Sequence, residues 1–325
     1  MPAQGGLEAA WYRGDRWLWL LRPLECLFRL LAAARRRLYQ LNVLSSYRAP
    51  LPVVVVGNIT VGGTGKTPVV IALVEAMQVN GLRPGVVSRG YGATSTQYPH
   101  SLSEASDAEQ SGDEPLLIHR RTKVPCVVDP DRARAVQTLL EQAEVDLVIC
   151  DDGLQHYGLA RDFEIAVVDA TRGLGNGFCL PAGPLREPAS RLQTVDRVVY
   201  RGSDDTENGV RYVAQAWVNL ETGEQRSLIP FSDAGTIWGV AGIGQPQQFF
   251  STLQALGLDV QPRIFPDHHR YTAQDFSLMS EDLILMTEKD AVKCGSLAGP
   301  NAWYLRIDAQ LPASLVTAVA QLVRS

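Results

Sequence analysis

The stretch Val53-Val-Val-Val-Gly57-Asn-Ile-Thr60-Val-Gly-Gly-Thr-Gly-Lys66-Thr67-Pro68 decides the fold. Four consecutive valines with no polar alternation read as a parallel strand buried on both faces. A glycine-rich turn follows. From Lys66 a helical pattern runs to about Val79, where Asn80-Gly81 stops it. Strand, glycine-rich loop, Lys-Thr and helix in that order are the setting of a phosphate-binding loop. Gly62, Gly63 and Gly65 allow backbone angles that turn successive N–H groups onto phosphate oxygens. The helix N-terminus adds partial positive charge, Lys66 adds a full one, and the Thr67 hydroxyl can ligate Mg²⁺. Thr60, Val61 and Thr64 complete the loop, with Thr60 standing where the general pattern has glycine.

Outward from this unit, strands are expected at 85–88, 125–128, 147–151, 165–169 and 197–200. Helical patterns near 114–121, 131–143 and 187–193 separate most of them. Such alternation implies an α/β fold, a P-loop NTPase-like parallel sheet with helices on both faces. Residues 93–113 are polar and aperiodic, as in a functional lid or a disordered loop. Residues 203–232 read as a β-hairpin linker. Beyond it, strands at 236–240, 259–265, 283–287 and 303–307 alternate with helices near 245–256, 272–280, 288–294 and 313–323, a smaller second α/β domain. The expected division is a basic N-terminal segment (1–48), a P-loop core (49–202), the linker (203–232) and a C-terminal domain (233–325).

With 325 residues, the chain has room for two domains of about 150 residues each. Hydrophobic content of 46% and charged content of 20% exclude a disordered or fibrous chain. A net charge of -5 gives no support to a nucleic-acid partner. Five scattered cysteines, none in a C-x-x-C pair, argue against a disulfide framework or structural zinc and for a reducing compartment. Residues 17–31 are greasy but interrupted by Arg22, Pro23, Glu25 and Arg29, so neither a membrane span nor a secretory signal is read there.

Charge is unevenly placed. Residues 11–37 hold seven arginines against Asp15 and Glu25. The same stretch carries Trp11, Trp17 and Trp19, and Leu20, Leu24, Leu27 and Leu31 follow a helical stripe. A basic helix with tryptophan and leucine opposite can lie in a membrane interface. The bland reading is a helix packed on the domain with its arginines in water. The clustering of tryptophan beside arginine favours the membrane.

Several further motifs carry candidate chemistry. The strand at 147–151 ends in Asp151-Asp152-Gly-Leu-Gln155-His156, and an acid there can hold Mg²⁺ opposite the loop. Alone, Asp-Asp-Gly is a common turn; beside Lys66 a metal site is favoured. Gly112-Asp113-Glu114-Pro115 admits two readings, capping carboxylates or a base with a metal-side acid, and the residues alone favour the cap. Ser88-Arg89-Gly-Tyr-Gly92 leaves the carboxyl end of a strand, where ligands sit in open α/β sheets. There Arg89 can meet phosphate or be a surface residue, and Arg186 in Gly183-Pro-Leu-Arg-Glu187 admits the same pair of readings. In Phe265-Pro-Asp-His268-His269, either imidazole can be oriented by a carboxylate as a proton acceptor, or both can be partly exposed. Thr287-Glu-Lys289-Asp290-Ala-Val-Lys293 can touch a nucleotide base or start a helix. It is not the Asn-Lys-x-Asp arrangement that reads guanine, which favours ATP.

Taken in this order, these motifs resemble the tetraacyldisaccharide 4'-kinase family over nearly the whole chain, and Thr60 is usual there. The resemblance implies two domains around a cleft and transfer of the ATP γ-phosphate to the 4'-hydroxyl of a tetraacylated disaccharide 1-phosphate, giving lipid IVA. It implies ATP and Mg²⁺ as cofactors, a peripheral position on the cytoplasmic face of the inner membrane, and no required protein partner. Carried over, Lys66 and Thr67 hold phosphate and Mg²⁺, and Glu114, Asp151 and Asp152 lie around the metal. Asp113 is the base paired with His268, and Gln155, His156 and Glu187 line the site. Two rivals remain. One is a membrane-associated switch ATPase, which wants a lysine where Val61 stands. The other is a small-metabolite kinase or ligase, which has no use for the basic apolar N-terminus.

Overall fold

A computed structural model describes residues 6–95, 97–229, 231 and 235–324. The portions of the expected N-terminal segment at 1–5, of the polar loop at 96, of the linker at 230 and 232, and of the C-terminal domain at 233–234 and 325 lie outside the described residues.

The chain opens with helix α1 (Leu7–Arg13), a 3-10 turn (Arg16–Leu21) and helix α2 (Arg22–Gln40). The first lobe then alternates β1 (Val53–Gly57), α3 (Lys66–Val79), β2 (Pro84–Ser88), β3 (His100–Ser101), α4 (Ala108–Ser111), α5 (Asp113–Thr122), β4 (Cys126–Val128), α6 (Arg132–Gln142), β5 (Leu147–Asp151), β6 (Phe163–Asp169) and β7 (Arg197–Arg201). The long strand β8 (Gly209–Asn219) and short β9 (Gln225–Arg226) lead to the second lobe. That lobe contains β10 (Ile237–Ala241), α7 (Pro246–Ala255), β11 (Gln261–Ile264), α8 (Ala273–Phe276), β12 (Leu283–Thr287), α9 (Glu288–Cys294), β13 (Ala302–Gln310) and α10 (Ala313–Arg324).

The strands form one sheet in the order β11-β10-β12-β13-β8-β7-β6-β1-β5-β2-β4-β3, with β9 paired to β8. Pairing is parallel within each lobe, apart from the short β3 against β4. Strand β8 is the seam. It begins parallel to β7, then runs antiparallel along β13. Strands β8 and β9 pair antiparallel, and β8 also joins the two halves of the sheet.

Strand β1 shows why the valine run was decisive. All four valines are fully buried, and their side chains alternate between two cores. Val54 and Val56 pack with Val70, Leu73, Leu116 and Ile118, while Val53 and Val55 pack with Val136, Leu139 and Leu154. Leu315 and Val319 of α10 belong to the first of these cores, so the last helix returns to cover α3.

Three local expectations are corrected. The helix expected at 187–193 is a 3-10 turn, Ala189–Thr194, because Pro188 is itself extended as its N-cap and lacks an N–H. The helix expected at 272–280 stops after Ala273–Phe276, a single turn closed by a Thr272/Asp275 capping box. The polar loop 93–113 is partly structured, since it contains β3 and α4.

Among the described residues no helix is long and apolar enough to cross a membrane. The stripe Leu20, Leu24, Leu27 and Leu31 points into solvent, with Leu20 81% exposed, and Trp17 and Trp19 stand open beside it. The segment is anchored from its other side: Glu25 is buried and accepts from the Cys179 N–H, and the Trp11 indole donates to the Pro181 carbonyl at 3.0 Å.

Candidate active site

A cleft of ≈ 970 Å³ opens between the lobes, lined by residues 61–67, Glu114, Asp152, Arg186, Asp267, His268 and Lys289. It lies at the carboxyl ends of β1, β5 and β12, where a parallel sheet leaves a crevice.

The loop from Thr60 to Thr67 carries the chain from β1 into α3. Gly62 and Gly65 have φ of 93° and 77°. A Cβ on Gly65 would lie 2.7 Å from the Arg201 Cδ and 2.8 Å from the Tyr212 hydroxyl, so the position admits only glycine. That hydroxyl donates to the Gly65 carbonyl, and Gln245 from the second lobe donates to the Gly63 carbonyl at 2.6 Å. Both contacts occupy carbonyl oxygens, the groups that would repel a phosphate. Val61 donates its N–H to Pro184 and packs on Trp11 and Leu18, while the buried Thr64 hydroxyl has no protein partner.

Lys66 is buried, its ammonium 3.3 Å from both Asn58 Oδ1 and Asp152 Oδ1. Sequence reasoning missed Asn58. Its side-chain amide donates to the carbonyl and hydroxyl of Thr60 at 2.9 and 3.2 Å. Thr60, in place of the general glycine, thereby gives Asn58 a second acceptor and orients its oxygen toward Lys66. Thr67 is buried at the start of α3.

The acids divide by environment. Asp151 is 1% exposed; one oxygen accepts from Ser88 at 3.1 Å, and the other has no hydrogen-bond partner. Burial, then the charges of Glu114 and Asp152, push its carboxyl up to about 7. A buried carboxylate with one bare oxygen, crowded by two acids, is what a bound cation relieves. Carboxylate and hydroxyl oxygens suit Mg²⁺. No three His, Cys, Asp or Glu side chains form a ready metal cage among the described residues. Mg²⁺ needs none, because it takes one or two carboxylates and completes its shell with water and phosphate. Asp152 has φ of 49°, a left-handed conformation that aspartate tolerates. Burial raises its pKa, but Lys66 and Arg186, the latter 3.2 Å away, outweigh burial and hold it well below the usual range.

Asp113 and His268 meet although 155 residues separate them, at 3.0 Å from Oδ2 to Nδ1. Burial alone would raise the Asp113 carboxyl; the His268 hydrogen bond and the Lys289 charge overcome it and leave the group below its ordinary value. The same hydrogen bond raises the His268 imidazole against the opposing effect of burial. His268 holds φ of 59°, a strained position of the kind found at functional sites, and the Tyr91 ring lies 5.1 Å from it. His269 turns away, stacked on Phe265 and 3.3 Å from Asp275. The imidazole facing the first lobe is therefore that of His268.

Other expected residues scatter. Lys289 lines the cleft, but its ammonium serves Glu114 at 3.0 Å, Asp267 at 3.5 Å and Asp113 at 3.8 Å. Asp290 is corrected as a nucleotide contact. It is fully buried, its oxygens taken by the Gly242 N–H, Tyr271, Thr287 and Lys293, so it braces the second lobe. Glu187 is buried beneath the site, accepting from Gln155 and Tyr157. Gln155 also reaches the Asn58 carbonyl at 3.1 Å. Burial, with Arg132 and Arg89 nearby, pulls His156 down to about 4 and keeps it neutral. Arg89 is exposed at the end of β2. No local pattern marks Tyr212 or Gln245, since tertiary packing brings them to the loop.

A profile of the family described as "LpxK: Tetraacyldisaccharide-1-P 4'-kinase" matches residues 17–324. A tetraacyldisaccharide 4'-kinase of Pseudomonas aeruginosa (strain LESB58) is 53% identical over 306 residues, 93% of this chain and 92% of that protein. One from Pseudomonas fluorescens is 51% identical over 328 residues, 100% of this chain and 98% of that protein. Among solved structures, LpxK from Aquifex aeolicus, crystallised in complex with ATP, superposes with a TM-score of 0.78 at 27% identity, covering 94% of this chain and 98% of that one. A phosphate loop facing buried acids, with relatives of this similarity along nearly its full length, places the chain in the tetraacyldisaccharide-1-phosphate 4'-kinase family.

Proposed function

We propose that the cleft moves the γ-phosphate of ATP onto the 4'-hydroxyl of a tetraacylated disaccharide 1-phosphate, with Asp113 accepting the hydroxyl proton. Family membership makes the chain an ATP-dependent kinase of lipid A biosynthesis; the roles of individual residues are the proposal. The observation that carries them is the Asp113–His268 pair, held at 3.0 Å across the cleft that Lys66 lines.

Phosphoryl transfer asks mainly for positioning and charge neutralisation. Residues 62–67 offer N–H groups and the Lys66 ammonium to the triphosphate, and Asn58 and Asp152 keep that ammonium in place. Thr67 and Asp151, with Glu114 and Asp152 nearby, would hold Mg²⁺, which when bound neutralises phosphate charge. Asp113 stays ionised at neutral pH because His268 and Lys289 offset its burial. His268 orients the carboxylate and shares the proton it gains. Arg186 supplies positive charge in the cleft.

The acyl chains cannot leave a bilayer cheaply, at ~0.8 kcal/mol per CH₂. The exposed leucine stripe and the arginines of residues 11–37 fit peripheral binding at the membrane surface where the substrate resides. The deciding experiment incubates purified protein with ATP, Mg²⁺ and the disaccharide lipid in detergent. A doubly phosphorylated lipid is expected. ATP hydrolysis with no phosphorylated lipid would favour a switch ATPase instead.

A further inference from the structure

Helix α5 carries Asp113 and Glu114 in its first turn and Arg121 in its last. The Arg121 side chain is 7% exposed and its guanidinium meets three carboxylates. One nitrogen donates to both oxygens of Glu288, at 3.0 and 2.8 Å, and another donates to Asp308. The third, Nε, lies 3.7 Å from Glu75 and makes no hydrogen bond. Arg306 is the second cation of the group, 3.4 Å from Asp308.

The partners come from both lobes. Glu75 lies on α3, the helix whose first residues are Lys66 and Thr67. Glu288 opens α9, and Asp308 lies on β13. Glu288 directly precedes Lys289, whose ammonium touches Asp113, Glu114 and Asp267. Both first-lobe helices that bring reacting groups to the cleft are thus tied, about 12–14 Å along their axes, to the residue beside Lys289. Two cations facing three partly exposed carboxylates make a modest source of stability, because solvent screening and desolvation offset much of the attraction. What the cluster does supply is a fixed register between the lobes.

We propose that Arg121 is a positioning residue for phosphoryl transfer: by clasping Glu288 and Asp308 it holds the second lobe where Lys289 and His268 meet Asp113 and Glu114. Arg121 touches neither substrate nor the reacting atoms, and its effect passes through Glu288 and α9. The kinetic part rests on the function proposed above; the lobe geometry does not.

The test pairs Arg121→Gln with Arg121→Lys. Misplacing reacting groups by about 1 Å costs on the order of 100-fold in turnover. Arg121→Gln is expected to lower kcat by about 10- to 100-fold, with KM for ATP changed less than about threefold. Arg121→Lys, which keeps charge but loses the fork, should recover part of the loss. If Arg121→Gln does not fold, Glu288→Gln reads the same split. Spin labels at Glu141 and Gln254, in a Cys26→Ser background, report the lobe separation without reference to activity. A broadened or shifted distance in Arg121→Gln, restored in Arg121→Lys, supports the clasp. A folded Arg121→Gln protein with unchanged kcat, or with the wild-type distance distribution, overturns it. If the wild-type protein phosphorylates no lipid, the function reading fails and the distance measurement alone decides the clasp.

Discussion

Asp113 holds its proton weakly for a buried acid, because His268 and Lys289 stabilise its charge. The substitution Asp113→Asn keeps size and polarity but cannot take a proton. It should lower kcat by about 10²–10⁴-fold while KM for ATP stays within a few-fold, measured by steady-state kinetics. Near-normal turnover would remove Asp113 as the base. Asp151 is the opposite case, with its folded-state pKa raised to about 7. The folded protein therefore prefers Asp151 protonated, and without metal this residue makes stability fall as pH rises from about 4 to about 7. Asp151→Asn should then raise the Tm of metal-free protein at pH 8, by about 3 °C or more, while abolishing kinase activity. Thermal denaturation in chelator checks the first half, and an unchanged or lower Tm would contradict the electrostatic account. Neither environment was legible locally. On sequence alone Asp113 and Glu114 read better as capping carboxylates, and the choice between His268 and His269 needed the facing lobe.

The N-terminal helix shows what periodicity can and cannot say. The spacing of Leu20, Leu24, Leu27 and Leu31 defines one face, and that face is the same whether it meets protein or lipid. The structure carries Leu20 on the 3-10 turn and the other three on α2, leaves all four open, and buries Glu25 on the other side. Replacing these four leucines by serine should weaken co-sedimentation with anionic vesicles at least tenfold. Replacing Arg35, Arg36 and Arg37 by glutamine should cost about 1 kcal/mol each and matter less at high salt. Unchanged vesicle binding in the leucine variant would assign the stripe to something other than lipid. The phosphate loop, by contrast, was legible from residues alone, because one continuous strand–loop–helix builds it. Its supports were not: Tyr212, Gln245 and Arg201 come from β8, the second lobe and β7.

Across the whole molecule, β8 fuses the two halves into one sheet, and α10 closes the circuit by packing Leu315 and Val319 against α3. Ending the chain before residue 313 should therefore destabilise the nucleotide-binding half. Burying Leu315 and Val319 contributes about 1.5–3 kcal/mol each. A Tm drop of about 5 °C or more is expected by scanning calorimetry, with weakened ATP binding; unaltered ATP affinity would show that α10 is peripheral to that half. The sequence by itself determined the α/β alternation, the doubly buried strand at Val53–Val56, the phosphate loop and the acids at strand ends. Each of these is a contiguous pattern governed by local backbone geometry and burial. Only the tertiary structure decided which acids meet, that His268 faces Asp113, that Asp290 is interior bracing, and that Arg121 joins the lobes. Those depend on long-range packing and on how desolvation and neighbouring charge balance at each buried group, and neither is written in local spacing.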